Sequence, residues 1–225
     1  MPSCMGRVDS APGIHWKPLM ENRMKVAVLG ASGRAGSEIT AELARRGHEV
    51  VAIARKPEAI AAAPGVTAVQ GDASDPQALA ALIRGSDAVI SALHFDVKAE
   101  TLLSALKAAG VPRLLVTGGA ASLEVAPGKI LFDAMDLPDE WKPAILGGIA
   151  FLKDLRSETE IDWTFFSPAA FIEVGPRTGT FRLGTDQLVV DDKGESRISF
   201  ADYAIAMVDE LEQHRHPRAR FTAAY

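Results

Sequence analysis

Lys25-Val26-Ala27-Val28-Leu29-Gly30-Ala31-Ser32-Gly33-Arg34-Ala35-Gly36 is the stretch on which the reading of this chain turns. The near-continuous apolar run from Val26 to Leu29 suits a strand covered on both faces. Directly behind it stands a G-x-x-G-x-x-G array that runs into a helix over Arg34–Arg46. Such a turn needs one glycine for the tight reversal, another so that backbone can approach a pyrophosphate, and a third so that helix and strand can pack closely. The helix N-terminus then aims its free N–H groups at the anion. An ordinary glycine-rich loop carries the same letters. Here strand, turn, helix and a second strand beginning at Glu49 all agree, which selects the dinucleotide-binding reading.

Working outward, short β-branched runs alternate with longer Ala/Leu-rich stretches at helical spacing, the pattern of βαβ units around a parallel sheet. Strands are expected at Lys25–Leu29, Glu49–Ala54, Val66–Gln70, Ala88–Ser91, Arg113–Thr117 and Asp162–Phe166. Helices are expected at Arg34–Arg46, Gln77–Ile83, Lys98–Ala109 and Pro143–Ser157, several ending on glycine (Gly47, Gly85, Gly110), where a left-handed residue is easiest. Asp75-Pro76 opens the second of these with a cap followed by proline at the first helical position. Towards the C-terminus a hairpin-like stretch over Thr180–Ser199, a helix over Ala201–Glu212 and a short strand are expected. The fold class is α/β, a single Rossmann-type domain with a doubly wound parallel sheet over residues 24–225.

Residues 1–23 carry three prolines and no period of 2 or 3.6. They are expected to form an unpacked, disordered tail, either a functional arm or the product of a mis-assigned start, since Met5, Met20 and Met24 can each serve as the first residue. Deleting them should leave cofactor affinity and thermal midpoint unchanged; a fall in either would mean that Ile14 and Trp16 dock on the domain. A hydrophobic fraction of 48% against 24% charged rules out disorder throughout. The net charge is −5, and no Lys/Arg block exceeds two residues, so nucleic acid is not an expected partner. No apolar run spans a bilayer and the first 24 residues lack an apolar signal core, which points to the cytoplasm and away from membranes. The single cysteine, Cys4, excludes an internal disulfide and a Cys-based zinc site. His214 and His216 have no third ligand near them, so no metal is expected.

Cofactor contacts are assigned first to Gly30, Ser32, Gly33, Arg34, Ala35 and Gly36 in the turn. Nineteen residues beyond Gly36, Ala54-Arg55-Lys56 stands where an NAD-specific site would place an acidic residue for the ribose 2′-OH. A guanidinium favours a 2′-phosphate, and Arg34 can approach the same phosphate from the other side, so NADP(H) is preferred to NAD(H). Gly71-Asp72-Ala73 and Ser91-Ala92 lie at carboxyl ends of strands, where open parallel sheets bind ligands. Asp72 suits either the adenine amino group or a turn-and-cap role before Ser74-Asp75-Pro76.

The glycine array, Arg55, Gly71-Asp72-Ala73 and Asp162-Trp163-Thr164-Phe165-Phe166-Ser167-Pro168 together resemble the atypical short-chain dehydrogenase/reductases, with the closer likeness to NADH-flavin reductases and biliverdin reductase B-type flavin reductases. Thr178-Gly179-Thr180-Phe181, the Asp191–Ser199 segment and Asp202-Tyr203-Ala204 extend the resemblance, which covers about residues 24–212. It implies a nicotinamide flanked by Thr117, Gly118 and Gly119 on one side and by Pro168, Ala169 and Phe171 on the other, with Lys153 either facing the cofactor or on a solvated helix face. Departures from the family matter equally. The Tyr-x-x-x-Lys pair is missing: only Tyr203 and Tyr225 occur, and Met207 stands four after Tyr203. Gly118-Gly119 replaces a Thr-Ser step, and Ala170 stands where the biliverdin reductase-type histidine would fall, which argues against tetrapyrrole reduction.

Hydride transfer to a flavin needs alignment more than a protein acid. The expected activity is therefore reduction of a planar acceptor, flavin or quinone-like, by NADPH, with flavin as substrate in place of a bound cofactor. A non-catalytic NADP(H)-binding redox sensor of the NmrA-like type is the alternative. Two residues are candidate catalytic groups. Ser122, beyond the fifth strand, is either a hydrogen-bond donor to substrate or a loop residue, and His94, at the mouth of the fourth, is either a proton donor or merely exposed. The connection from Ala120 to Lys142, with Phe132, Met135, Leu137 and Trp141, is either a lid or packs on the domain; Trp141 and Phe171 are placed to stack on a flat substrate. The chain is expected to act as a monomer or homodimer.

Overall fold

The computed structural model describes residues 23–225, so Cys4, Ile14, Trp16 and all of the expected tail but Arg23 lie outside the described residues. The first half runs β1 (Lys25–Leu29), α1 (Arg34–Arg45), β2 (Glu49–Ala54), β3 (Val66–Gln70), α2 (Pro76–Ile83), β4 (Ala88–Ser91), α3 (Ala99–Ala109) and β5 (Arg113–Thr117). An insertion follows with β6 (Glu124–Ala126), β7 (Lys129–Ile130) and α4 (Leu131–Ala134), then α5 (Lys142–Leu155) and β8 (Asp162–Ser167). The remainder holds β9 (Phe171–Glu173), β10 (Arg182–Gly184), β11 (Arg197–Ser199), α6 (Phe200–Gln213) and β12 (Ala219–Ala224).

Eight strands form one sheet in the order β10-β12-β8-β5-β4-β1-β2-β3, parallel throughout except where β10 meets β12. The chain moves outward through β2 and β3, then crosses back to place β4 on the other side of β1, which makes the Rossmann switch point at the β1/β4 boundary. Side chains alternate across β1: Ala27 and Leu29 enter the core under α2, α3 and α5, whereas Val26 and Val28 enter the core under α1 and α6. All four are fully buried, the outcome expected of an apolar run in a doubly covered sheet. Each large aliphatic side chain so buried stabilises the fold by about 1.5–3 kcal/mol.

Local signals act as their chemistry requires. The Asp75 carboxylate accepts from the backbone N–H groups of Gln77 and Ala78 at 2.9 and 3.1 Å, with Pro76 at the first helical position of α2. Gly110 closes α3 at φ +72°, a left-handed conformation that costs glycine nothing. In the second core Phe166 lies between Tyr203 and Phe221, with ring centroids 4.0 and 4.1 Å away and planes within 9°.

One expected element is corrected. Thr180–Ser199 is not a hairpin: the turn at Asp191 forms, its carboxylate accepting from Lys193 and Glu195 N–H at 2.8 Å, but the flanking strands diverge. β10 pairs with β12, and β11 joins β9 in a separate parallel pair. The last strand is not a peripheral one, because β12 sits between β8 and β10. Among the described residues no helix is long and apolar enough to cross a membrane.

Two buried carboxylates, one on α1 and one on α6, hold the C-terminal segments in place. Glu42 of α1 accepts from Arg177 at 2.9 and 3.1 Å and from Arg46, which also reaches Asp209 and Glu212 on α6. Asp202 accepts from the N–H groups of Thr178 and Gly179 and from the Tyr225 hydroxyl, each at 2.8 Å. Burial alone would raise both carboxyls; the Arg177 and Arg46 bonds hold Glu42 below its ordinary 4.5, and the Thr178, Gly179 and Tyr225 bonds hold Asp202 below 3.8. A lowered folded-state pKa gives stability that is present above the unfolded value and lost as pH falls through the folded one. The thermal midpoint should therefore hold steady down to about pH 5 and decline below 4.5, and Glu42→Gln should flatten that decline. Calorimetry across pH 3–7 giving the same acid slope for Glu42→Gln would remove Glu42 from this account.

Candidate functional site

The turn after β1 is built as its glycines require. Gly30 adopts φ +74°, and a Cβ there would sit 2.6 Å from the Ala92 carbonyl oxygen at the end of β4. Its N–H donates to Ile53 O at 3.0 Å and its carbonyl accepts from Gly33 N–H at 2.9 Å. Gly36 is the packing glycine: a Cβ would lie 2.2 Å from Gly30 O, so α1 can approach the strand end only without a side chain here. Gly33 is the helix cap, exposed, extended and without a side-chain capping bond. The N–H groups that open α1 are thereby left facing outward, as an anion site needs.

Next to this turn opens a cleft of about 910 Å³ lined by the loops that follow β1, β2, β3 and β4. Gly30, Ser32 and Gly33 form one wall, Arg55 and Lys56 the end, Asp72 and Ala73 the next wall, and Ala92 to His94 the side towards β5. Of the expected residues from these four loops, Gly30, Ser32, Gly33, Arg55, Asp72, Ala73, Ala92 and His94 are thus brought together at one edge of the sheet. Arg55 and Lys56 are exposed, and among the described residues no carboxylate forms an ion pair with either. Asp72 accepts from Ser74 N–H at 2.9 Å; that bond, with the Arg55 charge behind it, holds its carboxyl below the ordinary 3.8. Asp72 therefore shapes its turn and lines the cleft at once. Ser91 differs: it is buried in β4 and does not line the cleft, whereas its neighbour Ala92 does. Arg34 is exposed on the far side of the turn, its guanidinium 5.4 Å from the centre of the Phe200 ring and outside the cleft lining.

Farther along the same edge come the ends of β5 and β8. Gly118 N–H donates to Phe166 O at 2.7 Å, setting Thr117-Gly118-Gly119 beside Ser167-Pro168-Ala169. Gly118 has no room for a side chain, since a Cβ would be 2.3 Å from the Phe165 ring. Gly119 has ample room: the nearest atom to its Cβ would be Phe95 Cε2 at 4.0 Å. Phe171 starts β9 with its ring exposed and the Arg197 guanidinium 5.3 Å above it. Trp141 caps α5 and is 57% exposed, available for stacking.

The polar candidates fall in different places. His94 is exposed and lines the cleft on its β4 side. Ser122 accepts through Oγ and through its carbonyl from Arg220, both at 2.9 Å, so its hydroxyl is engaged with a guanidinium on β12. Lys153 is exposed in the last turn of α5. A crossover helix runs antiparallel to its strands, so that turn lies at the end of the sheet away from the cleft. Tyr203 is buried, its hydroxyl donating to Phe166 O at 2.7 Å, and burial pushes its pKa well up. His214 pairs with Asp162, and His216 with Glu210 at 2.7 Å. Sequence reasoning missed Lys56, Leu93, Asp96 and Val97 in the cleft; adjacency to Arg55 and His94 was their only signal.

Known proteins share this architecture. A Burkholderia pseudomallei structure provisionally assigned as an exported protein is 45% identical, with a TM-score of 0.81, covering 90% of this chain and 100% of that one. A Bacteroides thetaiotaomicron structure provisionally assigned as an epimerase is 41% identical with a TM-score of 0.85, covering 90% and 97%. A Streptococcus pneumoniae structure provisionally assigned as an NADH-flavin reductase is 34% identical with a TM-score of 0.78, covering 89% and 99%. The NAD(P)H-binding family model matches residues 30–211, from the first glycine of the turn to the end of α6. With the glycine turn, the switch-point cleft and that match in agreement, this chain belongs to the NAD(P)H-binding family.

Proposed function

We propose that this protein is a reductase that uses NADPH to reduce a planar acceptor, a flavin or a quinone-like compound, without a Tyr-x-x-x-Lys pair. The observation that carries the reading is the pairing of an anion-ready cleft with an open, glycine-lined strand edge where neither tyrosine of the chain stands ready to donate a proton. Tyr203 is committed to Phe166 O, and the Tyr225 hydroxyl to Asp202. The opening N–H groups of α1 would hold the pyrophosphate, Arg55 and Lys56 the 2′-phosphate, and Asp72 and Ala73 the adenine. Thr117, Gly119 and Pro168 would border the nicotinamide, which supplies a hydride when bound. Phe171 and Trp141 supply exposed aromatic surface for a flat acceptor, and orientation then does the work that an acid does elsewhere. Solvent can protonate a reduced flavin.

The test is NADPH oxidation with a panel of flavins, quinones and tetrapyrroles. Turnover with the first two is expected. Tight NADPH binding without turnover on any acceptor would instead support the redox-sensor alternative.

Cofactor preference has its own test. Losing a charge-assisted bond costs about 1.5–3 kcal/mol, so Arg55→Ala should weaken NADPH binding by about 10- to 150-fold while NADH changes little. Equal losses for the two cofactors in calorimetric titration would reject Arg55 as the 2′-phosphate ligand.

A further inference from the structure

We propose that Arg220 is a positioning residue for the acceptor side of the site, clamping the root of the insertion between β5 and α5; the proposal rests on the reductase reading above. Arg220 is the second residue of β12, and its side chain is 4% exposed. Its guanidinium donates to Asp186 Oδ1 through Nε at 3.0 Å and again through Nη2, to Asp186 O at 3.3 Å, and to Ser122 O and Oγ, both at 2.9 Å. Every acceptor belongs to one of two loops. None belongs to the sheet or to a helix, which other bonds already secure.

The loop at Ser122 is the root of the insertion, and the loop at Asp186, after β10, is hydrogen-bonded to it. Glu124 N–H donates to Asp186 O, and Leu188 N–H to Glu124 O, at 2.8 and 2.9 Å. Leu131 and Phe132 N–H return to Leu123 O and Ala121 O at 2.8 and 2.9 Å, on either side of Ser122. The clamp thus fixes both where the chain leaves Gly119 and where it turns back towards Trp141. A planar fork with five donors spread over three nitrogens can make all of these contacts at once; an ammonium, with three donors on one nitrogen, cannot. Ser122 acts here as an acceptor in the clamp and reaches substrate only through what it holds.

Two variants test this: Arg220→Lys, which keeps the charge, and Asp186→Ala, whose side chain is half exposed and whose loss leaves Arg220 its bonds to Ser122. Each should lower kcat/KM for the flavin acceptor tenfold or more while the NADPH Kd by calorimetry stays within twofold. Hydrogen exchange in residues 120–142 should quicken about tenfold, with β1 and α1 unchanged. The double variant should be no worse than the worse single one, because both remove one clamp. Unchanged exchange, NADPH affinity lost in step with turnover, or multiplicative losses in the double variant would each overturn the proposal. A wild-type protein that binds NADPH but reduces no acceptor would overturn the reductase reading and, with it, the acceptor role of Arg220; the exchange data would still decide whether the clamp exists.

Discussion

Gly36→Ala should lower both stability and cofactor affinity. Its Cβ would fall 2.2 Å from Gly30 O and 3.0 Å from Ala31 Cα, and backbone on both sides leaves nothing flexible to yield. Overpacking of this kind costs typically about 1–3 kcal/mol, which for a chain of this size moves the thermal midpoint down by about 2–12 °C. Relief comes only by sliding α1 away from β1, which carries its opening N–H groups off the pyrophosphate. With one or two charge-assisted bonds gone at about 1.5–3 kcal/mol each, NADPH should bind at least about 10-fold more weakly. Gly33→Ala is the contrasting case. Its Cβ would meet only Gly30 O at 3.2 Å, so the fold should hold while the methyl group intrudes on the anion site. Scanning calorimetry and titration calorimetry on the pair give the answer. Gly36→Ala with wild-type affinity and midpoint would reject the packing role.

Gly119→Val should leave the fold intact and slow hydride transfer about 100-fold, the cost of displacing reacting groups by about 1 Å. The nearest atom to a Cβ at this position is Phe95 Cε2 at 4.0 Å, an ordinary van der Waals contact, so the expected obstruction is of the ligand. His94→Ala and Ser122→Ala should each lose less than about tenfold, well short of the roughly 100- to 10,000-fold of a missing general acid. His94 is exposed on the β4 side of the cleft, and the Ser122 oxygen serves Arg220. Stopped-flow flavin reduction separates the cases. A thousandfold loss for His94→Ala, with Gly119→Val nearly normal, would make His94 the proton donor and reject the positioning mechanism.

Elements whose signal is local were legible in the amino-acid sequence. β1 to β5 fall on the expected residues: β1 and β4 are apolar runs buried almost throughout, whereas β3, at the sheet edge with no residue buried, is marked by its β-branched Val66, Thr67 and Val69. The glycine turn was legible for the same reason, each glycine answering a contact within a few residues or one neighbouring strand. Beyond Ser167 the partners are remote. Arg182–Gly184 is too short to reveal that it pairs with residues 222–224, and nothing near Ser122 announces a guanidinium nearly one hundred positions later. Arg34 and Lys153 illustrate a further limit: sequence gives a residue's element, but the side of the turn and the end of the helix decide what it faces.

The place of β12 has a consequence for how the molecule is made. Phe221 and Thr222 register with Phe166 and Ser167, so the strand that completes the sheet is translated more than fifty residues after the strand it pairs with. A ribosome that has released everything through Ser167 has delivered β1 to β5 and β8, yet the Phe166 ring still lacks both aromatic neighbours, Tyr203 and Phe221. Non-local pairing of this sort closes late and leaves apolar surface bare in the interval. The nascent chain therefore passes through a stage with its nucleotide half delivered and its far sheet edge uncovered, and α6 with β12 is the segment whose arrival ends that exposure.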